Sequence, residues 1–322
     1  MKKKKAKKTN KVNSPVSKKV IASFRHYLER KVVDISEVRN SKICAEELQK
    51  TIVTGETLSD YDPVHAVYIY AQNIISVLME QVGECPEMVK IVNPYINAAE
   101  EYMPSGPPMS PLTASYFFCW GCFDLWAGLK RETFGTVIID LCKKMGFDSH
   151  LIDVFQKMQD SRMGFYVHEG FSGNKVLLRE IITQKQCLAI IPSGYLGERG
   201  QVWFARILPE PLPEYSLGYS VVFTTPYILM ENDNNSNSYA NEKGWISYME
   251  RNLEKTGKKE ASTAYEFLMK FGFNKTYWNE YIFQGYAGYM DEAVFLAGYP
   301  DLPLSMPHSK ERQGIDEKHG NP

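Results

Sequence analysis

At Arg162 the hydrophobic period of this chain changes, and that change limits the fold more than any other feature of it. Before Arg162, apolar residues recur at helical spacing; after it, they alternate with polar ones in short β-rich runs. The runs are "MGFYVHEGF", "NKVLLREII", "QCLAIIPSG", "GQVWFARILPE" and "GYSVVFTTPYILM", all within residues 162–230. Turn signals separate them: "SGN" at 172–174, "TQK" at 183–185 and "SGYLGERG" at 193–200. Strands this short, joined this tightly, predict a five-stranded antiparallel β-barrel-like module, because no crossover helices lie between them and closure removes exposed edges.

The predicted fold class is therefore α+β. An N-terminal helical domain covers 21–161 and the small antiparallel β-barrel covers 162–230. An Asn/Ser-rich linker, "ENDNNSNSYANEKG", follows at 231–244, and a C-terminal helical segment at 245–308 is expected to pack back on both units. Within the helical domain, "DPVHAVYIYAQNIISVLMEQVGE" carries one broad apolar stripe, with Asp62 as its cap, Pro63 in its first turn and Gly83 as its stop. Ser110 and Pro111 launch another helix, predicted to run to about Leu129. A further one, "ETFGTVIIDLCKKMG", should stop at Gly146, and "SHLIDVFQKMQDS" supplies one more.

Charge is unevenly placed. Residues 1–20 hold nine of the chain's 37 lysines and arginines and no acid, so the remainder sets 28 basic residues against 38 acidic ones, about −10. Such a start reads as a disordered basic arm, with a tail at 309–322 as its disordered counterpart. It either solubilises the chain or contacts phosphates through lysines such as Lys3, Lys4 and Lys5. No run of 18 apolar residues is present and no apolar stretch follows the basic start, so neither a membrane partner nor a secretory signal is expected. Six cysteines scattered through 322 residues suit a reducing, cytoplasmic setting better than a disulfide scaffold.

Two of those cysteines, Cys119 and Cys122 in "FFCWGCFDLW", sit three apart among five aromatic residues. A redox pair belongs at a helix N-terminus after a strand, where the dipole lowers a thiol's pKa; here the helix begins about two turns earlier. A zinc site would have to recruit Cys142 and His150, at a spacing that matches no common finger. The pair is therefore expected midway along a buried apolar stripe, with Cys119 and Cys122 the only metal candidates, and no cofactor is expected.

The remaining candidates are dispersed. "GYLGERG" has three regularly spaced glycines, but a strand and not a helix follows, so it reads as a wide hairpin with Arg199 at its tip. Arg162 and Arg206 either form an anion-binding spot on the barrel or pair with nearby acids. Asp160, His168 and Asp301 are candidate catalytic groups, although His168 and Glu169 must point to opposite faces of a strand. The aromatic-rich "TYWNEYIFQGYAGYMDEAVF" is expected to pack between units or to present a partner face.

The order of these pieces, "MQDSRMGFYVHE" followed by "VLLREIITQKQCLAIIPSGYLGERGQVWFARILP", resembles a group of uncharacterised bacterial proteins that pair a helical part with a small β module. The resemblance covers about residues 115 to 230. Some members carry a C-terminal SEC-C zinc motif, whose cysteine cluster this chain lacks, so no zinc is implied. The resemblance supports the division into helical part and barrel and implies no activity.

Three functions remain open. The first is a non-enzymatic binding or adaptor protein that holds a protein partner with its barrel and aromatic flanks. The second is nucleic-acid binding through the lysine arm with Arg162, Lys175, Arg179, Arg199 and Arg206. The third is a hydrolase or metal enzyme with its site at the junction of helical part and barrel.

Overall fold

The computed structural model of the protein describes residues 15–28, 58–102, 111–229 and 242–272. Its helical part comprises α1 (Val16–Leu28), α2 (Pro63–Gly83), α3 (Val89–Tyr102), α4 (Pro111–Cys119), α5 (Phe134–Met145) and α6 (Ser149–Asp160). The strands are β1 (Met163–Ser172), β2 (Lys175–Glu180), β3 (Gln186–Ile190), β4 (Val202–Leu208), β5 (Ser220–Val222) and β6 (Tyr227–Leu229), followed by α7 (Glu242–Leu253) and α8 (Ala261–Phe271). The α+β class and the order of helical part, barrel and C-terminal helices follow the sequence reading. Helices α1 and α7 begin inside the expected arm and linker, at Val16 and Glu242. Lys3, Lys4, Lys5, Asp301, the 309–322 tail and the aromatic stretch after Gly272 lie outside the described residues.

Local chemistry places several helix ends where expected. Asp62 accepts the Val64 amide at 2.9 Å, Pro63 occupies the first turn of α2, and Gly146 ends α5 with φ +77°.

The barrel closes in the order β1-β2-β3-β5-β4, with β4 returning to β1. The expected all-antiparallel pattern is corrected: β3 and β5 run parallel, while the other pairs are antiparallel. A topological reason compels this, since directions cannot alternate all the way round a closed ring of five strands. The run expected as a fifth strand is also divided. β5 pairs with the C-terminal end of β4, and β6 pairs with its N-terminal half across from β1. Pro226, which has no N–H to donate, stands in the break.

Strand alternation divides the barrel's side chains into two sets. Tyr166, Val176, Leu178, Ala189, Trp203 and Ala205 pack together inside it, so the interior is filled. Met163, Phe165, Val202 and Phe204, of opposite parity, join the core shared with the helices. Phe165 and Phe204 lie 4.8 Å apart there, and the Tyr116 ring of α4 meets Phe204 at 5.8 Å.

The expected helix from Pro111 to about Leu129 is shorter. Regular α-helix ends at Cys119, and a wider π turn, Trp120–Asp124, follows, closed by the Leu125 amide on the Trp120 carbonyl at 2.9 Å. Gly121 permits this, because a Cβ there would fall 2.4 Å from the Tyr95 ring. The cysteine pair thus sits at the end of a helix and not midway along one.

Candidate functional site

The π turn brings Asp124 to the junction of all three parts of the molecule. An acid within "FFCWGCFDLW" must find a partner when its neighbours are buried, and Asp124, itself buried, finds two. Arg206 has the β4 parity that faces the helices, and its Nη2 meets Asp124 Oδ2. Lys270 of α8 approaches Asp124 Oδ1 at 2.9 Å. Arg206 also donates from Nη1 to the Ser161 carbonyl and hydroxyl, each at 3.0 Å, and Lys270 donates to the Gln159 and Ser161 carbonyls, the latter at 2.7 Å. Burial lowers the Lys270 pKa from the usual lysine range, Asp124 opposes that shift and Arg206 adds to it. Two cations share one carboxylate, so the cluster carries an excess positive charge.

Arg162 anchors α8 from the neighbouring position. It forms a fork with Glu266 at 2.6 Å and a second pair with Glu180 at 2.5 Å, and its guanidinium lies 4.8 Å over the Tyr265 ring. The Tyr265 hydroxyl accepts the Phe165 amide at 2.8 Å. Gly164 keeps this network open, because a Cβ there would meet Glu180, Tyr166 and Arg162 within 2.8 Å. Of the two alternatives for Arg162 and Arg206, the structure follows pairing with acids and not a basic spot on the barrel surface: both are held in ion pairs inward of it. Arg179 is likewise engaged, with Glu169 at 2.6 Å and Glu242 at 2.8 Å. Lys175 lies over the Tyr219 ring, and Arg199 is exposed in the 193–201 loop.

That loop closes over His168, which is fully buried. His168 Nδ1 accepts the Gly170 amide at 3.1 Å, so Nε2 carries the proton and donates to the Leu196 carbonyl at 3.2 Å. Burial lowers its pKa, and its ring meets Trp203 edge-on at 5.1 Å. The geometry gives His168 a structural task.

Cys119 and Cys122 are buried against the Asp124 cluster. Burial pushes the Cys119 thiol up to about 11 and the Cys122 thiol well above its ordinary value, so both are protonated at neutral pH. Among the described residues no group of three or more histidines, cysteines or acids is arranged to hold a metal ion. His150 lies 3.5 Å from Glu214.

Two clefts adjoin this junction. A cleft of about 700 Å³ opens between α6, α8 and the turn at 127–132, with Asp160 on its wall and Lys270 at its floor. Asp160 accepts the Gln156 amide at 2.9 Å. Lys130, Arg131, Arg162, Lys258 and Lys270 outnumber Asp160 and Glu266 along it. The second cleft, of about 490 Å³, sets Lys19, Lys90 and Lys130 against Glu87 and Glu132, and Pro15 and Val16, where the lysine arm joins α1, also line it. Both acids there are engaged: Glu132 accepts the Val16 and Ser17 amides at 2.7 and 3.0 Å, and Glu87 the Ser23 hydroxyl at 2.6 Å. Of the residues expected to form a site, Asp160 and Arg162 come together in the larger cleft, while His168, Arg199 and the cysteines lie elsewhere. Sequence reasoning placed Lys19 in its basic arm but missed Asp124, Lys270, Lys90, Lys130 and Lys258; only the lone acid in an apolar run was a usable signal. Comparison with known family models, curated proteins and solved structures found no match.

Proposed function

We propose that this protein is a non-enzymatic nucleic-acid-binding protein that takes its ligand on the face where the two clefts meet. The observation that carries this reading is the concentration of cations there. In a chain that is about −10 outside its first 20 residues, the larger cleft sets five basic side chains against two acidic ones, Arg162 and Lys270 among the five being held in ion pairs, and the smaller sets three lysines against two acids where the seven lysines before Pro15 join the fold. Phosphates recruited by the arm would meet Lys19, Lys90, Lys130 and Lys258. The groups best suited to catalysis support a binding role, since Lys270 directs its protons to two carbonyls and Asp124, His168 is held as one tautomer, and both thiols are protonated.

Fluorescence anisotropy with labelled single- and double-stranded oligonucleotides at rising salt tests the reading. Affinity should fall steeply with salt, and replacing Lys19, Lys90, Lys130 and Lys258 by Gln should flatten the log–log slope by about 0.9 for each duplex phosphate no longer neutralised. No binding at low salt would end it. A protein partner is the second reading, favoured by Phe171 and Leu196, large apolar side chains exposed at the loop-covered end of the barrel.

A further inference from the structure

Leu129 is fully exposed, at 106% of its reference area, on a turn that is otherwise firmly held. Ala127 and Glu132 exchange backbone hydrogen bonds of 2.8 and 3.0 Å across its base. Arg131 adopts φ +53°, an uncommon conformation for a side chain of its size, and its guanidinium rests over Phe267 and Phe271 at 4.5 and 4.7 Å and near Trp126 at 5.4 Å. Glu132 is fixed by the start of α1. The turn that carries the exposed leucine is thus tied at its base and beside its tip.

The position of the turn gives that exposure a meaning. Leu129 and Lys130 line both clefts, so the tip stands between two grooves, one with three lysines against two acids and one with five basic side chains against two acidic ones, Arg162 and Lys270 of the five being held in ion pairs. A planar bilayer would touch the ridge and leave the floors of the grooves empty. A duplex has the complementary relief, a groove to receive the ridge and a phosphate backbone on either side of it.

We infer that Leu129 is an apolar wedge that enters the groove of a double-stranded nucleic acid and partly unstacks a base step, while the two backbones lie in the clefts that Lys19, Lys90, Lys130 and Lys258 line. This rests on the nucleic-acid reading and specifies it: the ligand is a duplex, and it is deformed. Wedges of this kind separate flexible pyrimidine–purine steps at modest cost when flanking cations hold the backbone.

The test uses the full chain and a 20-base-pair duplex with fluorophores at its ends and 2-aminopurine at a central TA step. Binding should raise both end-to-end energy transfer and 2-aminopurine emission. Leu129→Ala, at an exposed site, should abolish most of both signals when compared with the unchanged chain at protein concentrations that saturate the duplex. Duplex binding without distortion, or distortion unchanged in Leu129→Ala, would overturn the wedge and leave the binding function standing. Binding to single strands alone, or Leu129-dependent flotation with vesicles of 30% phosphatidylserine without duplex distortion, would also overturn it. Loss of all nucleic-acid binding would remove function and wedge together.

Discussion

Asp124 is one carboxylate answering two buried cations, and removing it leaves both unanswered. Asp124→Ala should therefore cost about 3–5 kcal/mol, read by urea denaturation, because an uncompensated buried charge is far more expensive than an absent apolar neighbour. Lys270→Met should cost much less, since the Asp124–Arg206 pair survives it; equal losses in the two variants would show that the shared carboxylate does not organise this junction. His168 carries the acid sensitivity. Its pKa is lowered in the folded state, so the unfolded chain binds the proton more readily and stability must fall as pH drops below about 6.5. His65, also lowered chiefly by burial, adds to the same trend. In His168→Gln the fall should be shallower, and an unchanged pH profile would assign it elsewhere. At neutral pH, Cys119 and Cys122 should resist a thiol reagent in the native state and react only on unfolding.

The elements that carry these residues are set by a few small side chains. Gly121 lets the Tyr95 ring lie against the π turn, and the turn in its place aims Asp124 at Arg206. Gly121→Ala should therefore destabilise the protein by roughly 1–3 kcal/mol, as overpacking does, with Tyr95→Leu partly rescuing it. A neutral Gly121→Ala would mean the ring can move aside. Gly197 stands similarly under Trp203, with φ +67° and a Cβ position 2.3 Å from the indole, which is why the expected wide hairpin is a fitted lid over the barrel end. The expected fifth strand became two because β4 offers pairing partners along two separate parts of one edge, and the chain must bend between them.

Across the whole molecule, α8 acts as a clasp. Lys270 ties it to the helical part and to Ser161, Tyr265 to β1, and Arg162 to Glu266. Hydrogen exchange should report this directly: in Lys270→Met the α8 amides should exchange faster while those of β1, β2 and β4 keep their protection. Uniform acceleration across the barrel would show that α8 is part of one cooperative unit and not a separable clasp.

What the sequence by itself determined was whatever depends on near neighbours. The Asp62 cap, the Gly146 stop, the three tightly joined strands from β1 to β3 and the change of period at Arg162 are all decided within a few residues, by backbone hydrogen bonding and by which face must be apolar. Tertiary structure decided the rest. Alternation sets the parity of Arg206 but not what lies opposite, and its partner Asp124 is 82 residues away. Likewise Lys270 finds the Ser161 carbonyl across 109 residues, and Leu129 comes to line two clefts only because segments distant in sequence form their other walls. Pairings of that range carry no local periodicity, because burial and charge act through space while sequence pattern records only the chain.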